Sequence, residues 1–253
     1  MSKPMRVYMI CFSVFALLGI FSFEAPNGID LDAVNYPAFE SWSHPFGCDR
    51  LGRDIYALFS FGILSTLLVA IPARLLTIAF ASCVSLFAYV SNRFLGFILD
   101  QLSYVFLSIP SLLIALLIVS GLGANFITLP LAILLSDWAN AYETIKSKLK
   151  EINQSSYIHS SFVMGAGKVH VFRFHILPSL VSIFSFLFVT GVPNVIMAIA
   201  LFSFLGVDWS GDFLGPGLGE QIAFSADYFD KSPLAVIMPV FGIVSMIVGI
   251  GRK

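Results

Sequence analysis

Six stretches of this 253-residue chain contain no Asp, Glu, Lys or Arg: residues 7–23, 55–73, 75–92, 101–136, 174–207 and 232–251. A helix rises 1.5 Å per residue, so about 20 apolar residues cross roughly 30 Å of hydrocarbon. Runs of this length and number leave no fold that could cover itself with a water-compatible surface. The rest of the composition agrees: 58% of residues are hydrophobic, 11% are charged, and the mean hydropathy is +0.90. A soluble domain carries about a quarter charged residues. Lipid is therefore the solvent, and the expected fold class is all-α, a polytopic membrane helix bundle.

The runs predict about six spans, near 6–23, 66–90, 96–120, 126–145, 180–206 and 233–251. Run 101–136 is too long for one crossing, and Gly121-Leu-Gly-Ala-Asn125 with Pro130 places a turn inside it. Residues 55–65 read as an approach to the second span. The first apolar run, Val7 to Phe23, is long for a signal sequence, and Glu24-Ala-Pro-Asn27 lacks a small-x-small cleavage site. It reads as a retained helix.

Basic residues mark the cytoplasmic side. With the N-terminus inside, that face collects Lys3, Arg6, Arg93, Lys146, Lys148, Lys150, Lys168, Arg173, Arg252 and Lys253, leaving Arg50, Arg53 and Lys231 outside. Glu24, Asp208, Asp212 and most other acids fall on the outer face, and both termini are expected in the cytoplasm. A net charge of -1 argues against nucleic acid as a partner. Cys11, Cys48 and Cys83 show neither metal spacing nor a disulfide framework. No phosphate-cradling Gly-rich loop, Ser-His-Asp, HExxH or CxxC pattern occurs, so no catalytic, cofactor or metal site is expected in this chain.

The most informative connection is the inner one, 146–178. Lys146-Ser-Lys-Leu-Lys150 gives the fourth span a basic end suited to a helix C-terminus. Asn153-Gln-Ser-Ser156 then starts a short helix, Gly165-Ala-Gly167 breaks it, and a second short helix leads to His175-Ile-Leu-Pro178. Proline there fixes the turn back into the membrane.

Residues 157–178 resemble the EAA-loop signature of ABC importer permeases, through Tyr157, Gly165, Ala166, His175, Ile176, Leu177 and Pro178. His159-Ser160-Ser161 stands in place of Glu-Ala-Ala. Three further elements are similar to the second permease of peptide/nickel importers: His44-Pro-Phe-Gly-Cys-Asp-Arg-Leu-Gly-Arg-Asp54, Ser108-Ile-Pro-Ser-Leu112, and Ser203-Phe-Leu-Gly206 with Gly217-Leu-Gly219. The resemblance covers about 44–250. It implies a type I permease fold, with an N-terminal helix and outer loop at 1–61 and a core at 62–253. It also implies a coupling helix that sits in a groove of an ATPase subunit. The implied partners are a second permease subunit, two ABC ATPase subunits that bind ATP and Mg, and an extracytoplasmic solute-binding protein. The implied place is the bacterial cytoplasmic membrane, and the implied cargo is peptides or nickel chelates. Two departures remove polar groups: Ile199 stands where relatives usually place Glu, and Gln101 and Tyr104 stand where Arg and Asp often precede the third-helix proline.

Candidate coupling residues are Tyr157, His159, Ser160, Ser161, Gly165, Ala166, Gly167, His175 and Pro178. Arg74 reads as the only charge well inside a span, a costly position unless paired, hydrated or snorkelling. It either faces the translocation path or pairs structurally. Asp137 and Glu143 are expected to pair with local basic residues or partner groups. Asp49, Arg50, Arg53 and Asp54 form a self-satisfied cluster or an outer docking surface. Competing classes are an intramembrane enzyme or channel, which needs more mid-membrane ionisable groups than are visible, and a structural subunit of another complex.

Overall fold

The computed structural model describes residues 3–22, 26, 28–207, 209 and 214–251. Glu24, Ala25, Asn27, Asp208, Asp212, Arg252 and Lys253 lie outside the described residues. Ten helices follow among the described ones: α1 (Lys3–Ser22), α2 (Ile55–Val90), α3 (Arg93–Ser108), α4 (Ser111–Leu122) and α5 (Thr128–Asn153). Then come α6 (Ser156–Val163), α7 (Lys168–Val171), α8 (Leu177–Phe204), α9 (Leu218–Ser225) and α10 (Leu234–Gly251). Helix α1, helix α2, the stretch Val169–Phe204 and α10 are each long and apolar enough to cross a bilayer.

The third expected span, 96–120, is not one straight rod. Helices α3 and α4 meet at an 89° bend. Pro110 has no N–H to continue the ladder, and Ile109 before it is driven to extended backbone, φ -106° and ψ 131°. The second span also differs, because 55–65 is helix and α2 runs 36 residues. Asp54 caps it by accepting from the Ala57 N–H at 2.7 Å. The division drawn at residue 61 falls inside this helix.

Helix α5 lies at the centre, packed against α2, α3, α4 and α8. Its interior placement explains a composition no lipid-facing helix would tolerate: Asp137 and Glu143 find partners on neighbouring helices. Ser103 Oγ donates to Glu143 Oε1 at 2.7 Å, and Lys146 pairs with Asp100, which also accepts from the Tyr142 hydroxyl at 2.8 Å. The α2 face toward α5 carries small residues at every fourth position, with Ala73, Thr77, Ala81 and Ser85 all buried. Small side chains let two backbones approach where lipid offers no hydrophobic drive. Helix α1 packs on the bundle in the same way: a Cβ on Gly19 would stand 1.9 Å from Ser60 Oγ, and one on Gly249 of α10 1.9 Å from the Met9 sulfur.

Candidate functional site

The connection 146–178 is built as expected, with one addition. Helix α6 follows Ser155, whose hydroxyl donates back to the Ile152 carbonyl at 2.5 Å. The break falls at Gly165, in the left-handed region at φ +87°, where glycine is the residue without a Cβ penalty. After α7 the chain passes through a π-helical turn, Phe172–Ile176, directly into α8. Pro178 thus sits in the first turn of α8 rather than in a separate corner, and helix runs from Val169 to Phe204 over 36 residues.

Ile158, Val171 and Ile176 root this segment in a buried cluster with Leu149 and Ile152 of α5 and Leu180 of α8. The opposite side is bare: Val163 is 88% exposed, Met164 80% and Val169 80%. Of the candidate residues, three are brought together: the Tyr157 and His175 rings lie 5.9 Å apart, and Ser161 Oγ lies 3.4 Å from His175 Nε2. Ser161 also donates to the Tyr157 carbonyl at 2.8 Å. His159, Ser160, Gly165 and Gly167 are exposed and Ala166 is half-buried. Where the family signature has Glu-Ala-Ala, the hydroxyls of Ser160 and Ser161 bond back to the helix's own carbonyls, those of Ser156 and Tyr157.

Arg74 lies elsewhere, at the junction of α2, α5 and α8. It is buried, its Nη1 donates to Asp137 Oδ2 at 2.5 Å, and its Nε and Nη2 donate to the Leu187 carbonyl at 2.9 and 2.7 Å. A Cβ on Gly191 would stand 1.8 Å from Arg74 Nε, so the guanidinium occupies the space that this glycine leaves. Sequence order gives no hint of the pair, whose members are 63 residues apart. Asp137, not Arg74, is among the residues lining a cleft of about 500 Å³ between α4, α5, α8, α9 and α10. Ser111, Ser136, Asn140 and Asn194 share that lining. Ser111 belongs to the Ser108-Ile-Pro-Ser-Leu112 element, while Ser136, Asn140 and Asn194 carry no motif, although two carboxamides inside apolar spans are a readable signal.

Segment 44–54 is a closed network. Asp49 accepts from the backbone N–H groups of Leu51 and Arg53 at 2.8 and 2.9 Å and from Arg53 Nε at 2.7 Å. Asp54 takes His44 Nδ1 at 3.0 Å as well as capping α2. Arg50 stacks its guanidinium on Phe224 of α9, 3.6 Å from the ring centre, and so ties this loop to the later outer connection. Cys48 is fully buried within it, and burial first, then Asp54, Asp49 and Asp30, push its thiol up to about 12. Among the described residues no three His, Cys, Asp or Glu side chains gather as a metal site, and His159, His170 and His175 do not converge on one point.

Helices long and apolar enough to cross a bilayer, clasped by a buried ion pair and opened by a lateral cleft, define an integral membrane helix bundle. Residues 81–251 match the family described as binding-protein-dependent transport system inner membrane component, and the chain belongs to that family. A Brucella ovis protein named a peptide permease is 30% identical over 182 residues, which is 72% of this chain and 60% of that protein. The dipeptide transport system permease protein DppC of Alkalihalophilus pseudofirmus is 24% identical over 98% of this chain and 82% of its own length. The glutathione transport system permease protein GsiD of Shigella dysenteriae is 26% identical, covering 82% of this chain and 68% of its own length. This chain spans about 60% of the length of the Brucella relatives it matches.

Proposed function

We propose that this chain forms one half of the translocation pathway of an ATP-driven importer for short peptides in the bacterial cytoplasmic membrane. A solute-binding protein delivers cargo on the outer face, a second permease subunit completes the path, and two ATPase subunits inside hold ATP and Mg. Both termini face the cytoplasm, as Lys146, Lys148 and Lys150 near the end of α5 and Lys168 and Arg173 ahead of α8 favour.

The observation that carries this reading is the inner segment: an exposed apolar tip at Val163, Met164 and Val169, on a base packed between α5 and α8. An apolar tip at the mouth of a membrane bundle suits burial in a partner's groove, and a helix continuous with α8 carries displacement inward. The names of the relatives support peptide as cargo. The sequence resemblance alone also admits nickel chelates.

The test replaces Gly165 by Val and, separately, Ser161 by Trp. The first forces a β-branched residue into a left-handed conformation, a strain of about 1–3 kcal/mol confined to the lever. Membrane insertion should be unchanged, while ATP-driven uptake of a labelled dipeptide falls at least about ten-fold and capture of the ATPase subunit weakens. Full uptake in both variants, or labelling of residues 157–178 only from outside the cell, would end the proposal.

A further inference from the structure

Asp137 of α5 and Asn194 of α8 stand at the same depth. Each lies nine or ten residues from the outer end of its helix, α5 starting at Thr128 and α8 ending at Phe204. That is about 14 Å at 1.5 Å per residue, close to the middle of the bilayer. Asn140 follows Asp137 one turn deeper, and all three line the cleft. Asn140 and Asn194 are exposed, and the Asn194 carboxamide makes no hydrogen bond to another described side chain or backbone group.

An unpartnered carboxamide facing hydrocarbon at this depth is disfavoured, because nothing there replaces the hydrogen bonds of water. Around them, Leu75 and Leu76 beside Arg74, and Val181 and Phe186 on α8, are apolar, and the exposed hydroxyls of Ser182 and Thr190 bond back to carbonyls of their own helix. Away from the helix ends, the exposed carboxamides of α5 and α8, Asn140 and Asn194, both line the cleft, while Gln101 of α3 is exposed outside it. The charge of the cleft is also balanced, since Arg74 holds the Asp137 carboxylate from behind. What remains toward the cleft is a set of amide donors and acceptors with no net charge.

We infer that Asp137, Asn140 and Asn194 form the solute-contacting strip of this subunit, and that its ligand is the backbone of a short zwitterionic peptide. Carboxamides match peptide N–H and C=O groups whatever the side chains are, and the neutral strip binds weakly enough to let cargo leave. The met demand is hydration and peptide amides, not a fixed ion. This assignment rests on the importer reading for its direction of transport, but the contact itself does not require ATPase coupling.

The test uses the full chain in native membrane vesicles, with Cys11 and Cys83 replaced by alanine and single cysteines placed as Asn140→Cys, Asn194→Cys and Leu76→Cys. A charged methanethiosulfonate reagent should modify the first two at least about ten-fold faster than the third, and millimolar Gly-Gly or Ala-Ala should slow that reaction several-fold. Equal rates at all three positions would overturn the strip and assign this face to lipid or to a tightly packed subunit. Fast labelling untouched by peptide would overturn the ligand. Both readouts are taken without nucleotide, so a failure of the coupling lever leaves them unchanged and is told apart by the uptake assay.

Discussion

Replacing Asp137 by Leu isolates the ion pair that joins α2, α5 and α8. Removing one partner of a buried pair costs about 3–5 kcal/mol, chiefly because the other charge is left without compensation. Here two features reduce that figure: the Asp137 side chain is 27% exposed, and Arg74 keeps two N–H groups on the Leu187 carbonyl. A loss of about 2–3 kcal/mol remains, a factor of about 30–150 in the folded population. Neutral hydrogen bonds between membrane helices average about 0.6 kcal/mol, so an effect of this size separates a charge clasp from an ordinary polar contact. Arg74→Leu should cost less, since its carboxylate partner reaches the cleft. The double variant should be more stable than Asp137→Leu alone, because no stranded charge is left. The assay is unfolding of the purified protein by SDS in mixed micelles, read by tryptophan emission. Trp138, one residue from Asp137 and buried against Phe106 and Tyr142, is the local reporter. If the two single losses simply add in the double variant to within about 0.5 kcal/mol, the clasp is not an interaction and the reasoning fails.

Gly52→Ala should loosen the outer segment specifically. Gly52 has φ +74°, and an added Cβ would stand 1.6 Å from the Asp30 carbonyl oxygen. Strain of about 1–3 kcal/mol or more should raise protease cutting within 28–54 several-fold from the outer side, with helix content unchanged. Cys48, buried in the fold, should resist a maleimide at pH 8 until the protein is denatured. Its thiol sits at about 12 in the fold against an ordinary 9.0, so the unfolded chain releases that proton first. Stability from this group is complete below pH 9 and is lost as pH rises from about 9 toward 12, a decline that Cys48→Ala should remove.

Local features were legible and pairings across the bundle were not. The break at Gly165 and the helix start after Ser155 follow from residues within three or four positions, so sequence carries them. The bend at Pro110 was also written locally, in the restricted Ile109, but an apolar run long enough to span reads as one rod unless the proline is given priority. Asp54 is likewise a local signal, a capping residue for the start of α2, although 55–65 reads as an approach when the span is placed by the length of hydrocarbon alone. Arg74 stands out as a charge inside a span and Asp137 as a carboxylate in need of a partner, yet only the packing of α2 on α5 makes them a pair. Asn140 and Asn194 were passed over because asparagine bears no charge, although at mid-depth its exposed amide needs an explanation as much as a carboxylate does.

Two prolines lie beside the clasp. Pro72 on α2 is two residues from Arg74, and Pro193 on α8 is two residues from Gly191. Each leaves its helix one backbone rung short at that level. The bundle is therefore most pliable in the plane where a guanidinium splints it, so the upper and lower halves of two crossing rods bend about a shared waist when that splint slackens.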